Sequence, residues 1–281
     1  YNGARLSAEG RVVVVTLNYR LGALGFMAPP ATDTSAFPVA DNAGLRDQQL
    51  ALRWVRENIH AFGGDANNVT LLGESAGSAS TCVQIVAPGS AHLADKFILQ
   101  SGVCTGGLSV WTLPQAQAVS AALSQSFCAE AGDALTCLRE AEPLALMEWG
   151  ANAGIFGAGW SPTIVPDSDV LPAAPAELIA AGQYNQGPLL VGTNKNEWGL
   201  FQAIGMSAPV TSVAQLAGFI DLQYGAAAPL LKAEYLPAGD AQANGALVRL
   251  LTDAVFRCPT RSFARQVQAQ GSPVWLYSFD Q

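Results

Sequence analysis

The chain has 281 residues, half of them apolar and 13% charged, with a net charge of −8. That balance excludes a disordered chain, which needs low hydrophobicity and high charge, and no apolar run reaches the roughly 18 residues of a membrane-spanning helix. The 14 Lys and Arg residues are scattered rather than gathered into a stripe, so a nucleic-acid partner is not expected.

The first strong pattern is Arg11 to Leu17, β-branched and apolar throughout. It reads as a strand buried on both faces. A Gly- and Pro-containing loop is expected from Gly22 to Ala40. Asp47 to Ile59 carries Leu50, Ala51, Trp54, Val55 and Ile59 at helical spacing. Asn68 to Leu72 reads as a short strand, and Ser78 to Val86 as the helix after a sharp turn. Lys96 to Gln100 is another strand. Pro114 to Glu148 looks helical and is expected to cover one face of the sheet. Pro188 to Gly192 reads as a buried strand. A helical stretch from Ser212 to Gln270 leads to a last strand at Pro273 to Phe279. Strands alternating with helices predict a mostly parallel α/β sheet flanked by helices. No linker divides the chain, so 1–281 is read as one partial domain.

The five cysteines include no C-x-x-C pair, and there are two histidines. A Cys/His zinc site is therefore not expected. Cys128 and Cys137 sit close enough for a small disulfide loop; a pair of buried thiols fits as well.

Val69 to Ser78 contains G-x-S-x-G as Gly73-Glu74-Ser75-Ala76-Gly77, between an apolar strand and a helix. That context defines a nucleophile elbow. The turn forces the serine into a strained backbone conformation, and glycines are expected on either side because a Cβ there would collide. The Ser75 hydroxyl is thereby raised above the sheet. It stands at a helix N-terminus, where the Ala76 N–H is aimed at a developing oxyanion.

Together with Asn18-Tyr19-Arg20-Leu21-Gly22, Asp41 to Gln48, Phe62-Gly63-Gly64-Asp65, Gln100-Ser101-Gly102 and Gly192 to Glu197, the elbow resembles type-B carboxylesterases in order and spacing. That group also holds cholinesterases and some fungal lipases. The resemblance implies the α/β-hydrolase fold and a Ser–Glu–His triad, with Ser75 as nucleophile and Glu197 as acid. It implies a small-molecule ester substrate and no metal or organic cofactor. It sets Glu74 near the pocket floor, although a carboxylate that only stabilises the turn fits too. Ser101 matches a serine that supports the acid. Arg20 and Asp47 match a structural ion pair. Phe156 and Trp160 fall loosely where the family lines its acyl pocket, and core packing is equally compatible.

The triad histidine has no match. His60 and His92 both precede Glu197, whereas the chain order in this fold is nucleophile, acid, histidine; both read as ordinary surface or core residues. The family's G-x-x-H-G-x-E segment and its Gly-rich oxyanion loop would fall beyond the two ends. The chain is therefore expected to be an internal portion of a longer enzyme, with little esterase activity of its own. Alternatives are a non-catalytic binding or adhesion module, or a lipase, thioesterase or amidase on the same scaffold. The family and the Cys128–Cys137 loop lean toward an exported protein. Oligomeric state is not legible.

Overall fold

A computed structural model describes residues 2–28, 42–106, 110–152, 163–164 and 170–280. Its strands are β1 (Thr70–Glu74), β2 (Lys96–Gln100), β3 (Trp111–Thr112), β4 (Thr163–Ile164), β5 (Leu189–Asn194) and β6 (Val274–Phe279). Four of them form one sheet in the order β1-β2-β5-β6, and every pairing is parallel. The short β3 and β4 pair with each other.

The helices are α1 (Ala4–Gly10), α2 (Gly22–Phe26), α3 (Ala43–Asn58), α4 (Ala76–Val86), α5 (Leu113–Cys128), α6 (Ala134–Glu140) and α7 (Pro143–Asn152). They continue with α8 (Pro175–Ala180), α9 (Trp198–Ala203), α10 (Val213–Tyr224), α11 (Ala228–Tyr235), α12 (Ala243–Thr252) and α13 (Cys258–Ala269). Local chemistry marks several starts. Thr112 and Gln115 form a capping box ahead of α5, Asp133 accepts from Leu135 and Thr136 N–H at α6, and Ser212 accepts from Gln215 N–H at α10. Each satisfies N–H groups that have no intrahelical acceptor. No helix among the described residues is long and apolar enough to cross a membrane.

The sheet buries one face. Phe97 and Leu99 of β2 and Leu189 and Val191 of β5 are buried against Val83 and Val86 of α4, Ile179 of α8, and Phe263 and Val267 of α13. Burying each such side chain contributes about 2 kcal/mol. The alternate row, Leu72, Ile98, Leu190 and Trp275, lies side by side in the parallel register and points the other way. There Leu72 is 51%, Leu190 38% and Trp275 57% exposed. Among the described residues this face is uncovered, as are the outer edges of β1 and β6.

Three expectations change. Arg11 to Leu17 is not a strand. β-branched residues suit a pleated backbone, but a ladder needs a partner. Among the described residues none lies beside this run, and Val12, Val13 and Val15 stand exposed. Pro114 to Glu148 is helical, but α5, α6 and α7 pack on α2 and on one another through Ala23, Leu123, Leu138 and Leu146 rather than on the four-stranded sheet. The loop expected from Gly22 opens with a helical turn, α2, which fits because Gly25 and Gly44 let the backbone close on the Arg20 carbonyl.

Cys128 and Cys137 do form a disulfide, closing the short turn between α5 and α6. A second bond, Cys82–Cys104, ties α4 to the loop after β2. Cys258 is free and exposed.

The lower part of the scaffold is locked by polar contacts. Buried Gln84 on α4 donates to the Leu45 carbonyl at 3.0 Å and to Gln48 Oε1 at 2.9 Å. Its own Oε1 accepts from Gln49 at 3.3 Å and from the Ser90 hydroxyl. These bonds join α3 to α4. Arg20 grips Asp47 with Nε and Nη2 at 2.8 and 2.7 Å, and the Arg20 N–H adds a third bond at 3.0 Å. The ion pair expected from the sequence is therefore formed.

Candidate active site

The site begins where β1 ends. Ser75 has φ 53° and ψ −118°, a left-handed region that L-residues avoid at a cost of about 1–3 kcal/mol. Three contacts hold it there. Its N–H donates to the Gln100 carbonyl at 2.8 Å, extending the β1–β2 ladder by one residue. Its carbonyl accepts from Ala79 N–H at 3.0 Å, starting α4. Gly73 lies so close beneath the turn that a Cβ there would overlap the Gly77 carbonyl and stand 2.7 Å from Ser78 N.

Gly77 differs from expectation. A Cβ at Gly77 would meet nothing within 4 Å. The close approach is one-sided: the Gly77 backbone needs a glycine at 73, and position 77 is itself open among the described residues.

The loop after β2 backs the turn from the neighbouring strand. Ser101 is also left-handed, with φ 56°. Its N–H donates to the Gly192 carbonyl at 2.8 Å, carrying the ladder on to β5. Gly102 follows, where a Cβ would stand 2.6 Å from the Ser75 carbonyl oxygen. The Gly102 carbonyl accepts the buried Ser78 hydroxyl at 2.6 Å. Two residues on, Cys104 carries the disulfide to Cys82 of α4, and its N–H donates to the Cys82 sulfur at 2.9 Å. Turn, helix and loop therefore form one braced unit.

Glu197 comes from the next strand over. It follows β5, just before α9, and is buried. Its Oε1 accepts the Asn194 backbone N–H at 2.6 Å, and its Oε2 accepts Asn194 Nδ2 at 3.0 Å. Ser101 Oγ lies 3.4 Å from the same Nδ2, so Ser101 reaches Glu197 by way of Asn194.

Glu74 closes the group. Burial and then the negative charge of Glu197 push its carboxyl above the ordinary range. Glu74 remains exposed, so solvent screening keeps the effect small. Ala76 is the first residue of α4, where N–H groups lack an intrahelical acceptor. Ser75, Ala76, Glu74, Ser101 and Glu197 thus gather at the carboxyl ends of three adjacent parallel strands. Open α/β sheets bind ligands along that rim.

His60, in the helical turn after α3, and His92, in the loop after α4, are both exposed. Phe156 and Trp160 lie outside the described residues.

A family model described as the Carboxylesterase family matches residues 1–281. The chain belongs to the carboxylesterase family. The fold of this family is the α/β-hydrolase fold, and the parallel sheet with helices packed on it agrees. The chain is 36% identical to para-nitrobenzyl esterase of Bacillus subtilis (strain 168), over all of this chain and 55% of that protein. It is 34% identical to carboxylesterase 3 of Homo sapiens, over 99% of this chain and 49% of the relative. For carboxylesterase 3 of Pongo abelii the identity is 33%, over 99% and 50%. The chain spans about half the length of these curated relatives.

Two participants escaped the sequence reading. Asn194 stands inside the Gly192–Glu197 segment, and nothing local in the sequence marks its contact with Glu197. The Cys82–Cys104 bond had no local signal, because its partners meet only after β2 is laid beside β1.

Proposed function

We propose that this chain carries the nucleophile and the acid of a serine carboxylesterase that hydrolyses small carboxylic esters. Ser75 is the nucleophile, Glu197 the triad acid and the Ala76 N–H one oxyanion donor. Glu74 borders the pocket, and Ser101 braces the acid. Residues 1–281 form a single partial α/β-hydrolase domain, and the triad histidine comes from outside them. The observation that carries this reading is the left-handed Ser75, fixed by Gln100 and Gly102 at the end of a parallel strand. Strain of that kind is retained where a side chain must be presented.

The spacing supports it as well. Strands β1 and β5 lie two spacings apart, about 10 Å. An imidazole hydrogen-bonded through both nitrogens bridges about 7 Å, so one fits between groups projecting from their ends.

The reaction follows from these parts. The imidazole takes the Ser75 proton as Oγ attacks the ester carbonyl carbon. The carbonyl electrons move to oxygen, and the Ala76 N–H donates to that oxyanion. Buried Glu197 stabilises the imidazolium. The C–O bond to the alcohol breaks as the imidazolium returns its proton to the leaving oxygen. Water, deprotonated by the same imidazole, then attacks the acyl-enzyme and restores Ser75.

The test uses the intact protein with p-nitrophenyl acetate and a p-nitrobenzyl ester. Ser75→Ala is expected to lower kcat by at least about 10³-fold, and Glu197→Gln by a comparable order. Ser75→Ala with unchanged turnover sinks the reading. A chain of residues 1–281 alone is expected to show no Ser75-dependent turnover, for want of its base.

A further inference from the structure

We propose that Asn194 is the positioning residue of the Glu197 carboxylate, clamping both of its oxygens from one position. This rests on Glu197 being the triad acid. The geometry is specific: Asn194 donates its backbone N–H to Oε1 at 2.6 Å and its side-chain N–H to Oε2 at 3.0 Å. A carboxylate held at both oxygens cannot rotate. It still has lone pairs left for one more donor, and an imidazole N–H is that donor.

The clamp is itself anchored. Asn194 is the last residue of β5 and pairs with Phe279 of β6. The next residue, Lys195, donates its N–H to the Phe279 carbonyl at 2.8 Å, and its own carbonyl accepts from Arg257 Nη2 at 3.1 Å. On the far side of Glu197, the Trp198 N–H donates to the buried Thr252 hydroxyl at 3.1 Å. Both flanks of the acid are thus tied to neighbouring elements, and Asn194 converts that fixed backbone into a fixed carboxylate. Its Nδ2 also lies toward Ser101, linking the clamp to the loop that backs Ser75.

Glu74 approaches this carboxylate from the elbow. Further along the rim, Lys195 pairs with Asp280 of the β6 end, and Arg257 pairs with Asp253 of the π-helical turn before α13. None of these donates to Glu197 as Asn194 does.

Three variants of the intact protein, assayed on p-nitrophenyl acetate across pH 6 to 8.5, test the proposal. Asn194→Ala is expected to lower kcat about 10- to 100-fold, the loss of one charge-assisted hydrogen bond, with KM within about twofold. Asn194→Asp is nearly isosteric and keeps the backbone donor. Its new carboxyl donates to Glu197 only while protonated. Its activity relative to wild type is therefore expected to rise about tenfold as pH falls across the range, whereas a packing role leaves that ratio flat. This variant reads the side chain even if the Ala variant loses its fold. Glu197→Gln separates the two claims. If Glu197→Gln is crippled while both Asn194 variants keep wild-type kcat and a flat ratio, the clamp is wrong and the acid stands. If Glu197→Gln is fully active, the acid assignment fails and the clamp falls with it.

Discussion

The N–H of Ser75 donates to the carbonyl of Gln100 at 2.8 Å, so the residue that leaves β1 for the elbow is still held by the ladder of β2. The turn is thus built jointly by two strands, and its strain is met by contacts from both. Gly102, two residues beyond Gln100, lets the β2 loop press on the Ser75 carbonyl.

Gly73→Ala and Gly102→Ala are expected to damage the site from opposite sides. Each added methyl meets backbone, which cannot swing aside as a side chain would. Overpacking of this sort costs about 1–3 kcal/mol. Esterase turnover should fall further than stability, because the relief comes from moving Ser75. Parallel urea unfolding and p-nitrophenyl acetate kinetics on both variants check this; full activity in either contradicts it.

Gln84→Ala should destabilise the protein by about 2–3 kcal/mol. The substitution strands the side chains of Gln48, Gln49 and Ser90, all buried, and removes a second donor from the Leu45 carbonyl. Unpaired buried polar groups carry their full desolvation cost. A melting temperature unchanged from wild type would mean that the partners find new bonds.

Removing Cys82–Cys104 by a double Ala substitution is expected to cost about 3 kcal/mol, and removing Cys128–Cys137 slightly less, about 2.5 kcal/mol. The two bonds span 22 and 9 residues, and the entropy of the unfolded loop grows only slowly with length. Activity should separate them. Loss of the first releases the loop behind Ser75 and lowers kcat, while loss of the second leaves kcat near wild type.

Two carboxylates should make stability depend on pH in opposite senses. Hydrogen bonding to Arg20 holds Asp47 below its ordinary value of 3.8. Its stabilisation is complete above that value and is lost as pH falls through the lower, folded one. Glu74 is raised above its ordinary 4.5. Charging it opposes folding above the raised value, and that opposition fades as pH drops toward 4.5. Asp47→Asn should therefore lower the melting temperature at pH 7 and matter little in strong acid. Glu74→Gln should raise it slightly at pH 7 and lose the advantage near pH 4. Thermal melts of both variants at several pH values decide; parallel shifts would refute the opposite signs.

Much of this was legible in the sequence because it depends on neighbours a few residues apart. The elbow, the strand at Lys96 to Gln100 and the helices around Gln48 and Val83 all follow from local spacing. The resemblance then pointed to Glu197 and Ser101, the acid and its brace in the proposed reading. What stayed hidden depends on pairing across the sheet. Arg11 to Leu17 has the composition of a strand and lacks a partner among the described residues. The reason for Gly102 appears only when Ser75 lies above it. Asn194 gains its meaning from the fold of the chain back onto its own third neighbour, a contact that the order of residues permits without announcing it.

The sheet's open boundary has a practical side. β1 and β6 each leave an unpaired edge among the described residues, and Leu72, Trp275, Leu276 and Phe279 stand exposed on or beside those edges. Bare strand edges with apolar flanks recruit other chains. The chain is therefore expected to form soluble multimers as its concentration rises. Light scattering across a concentration series would show it. Colloidal behaviour of the polypeptide, more than its chemistry, then sets the conditions for handling it.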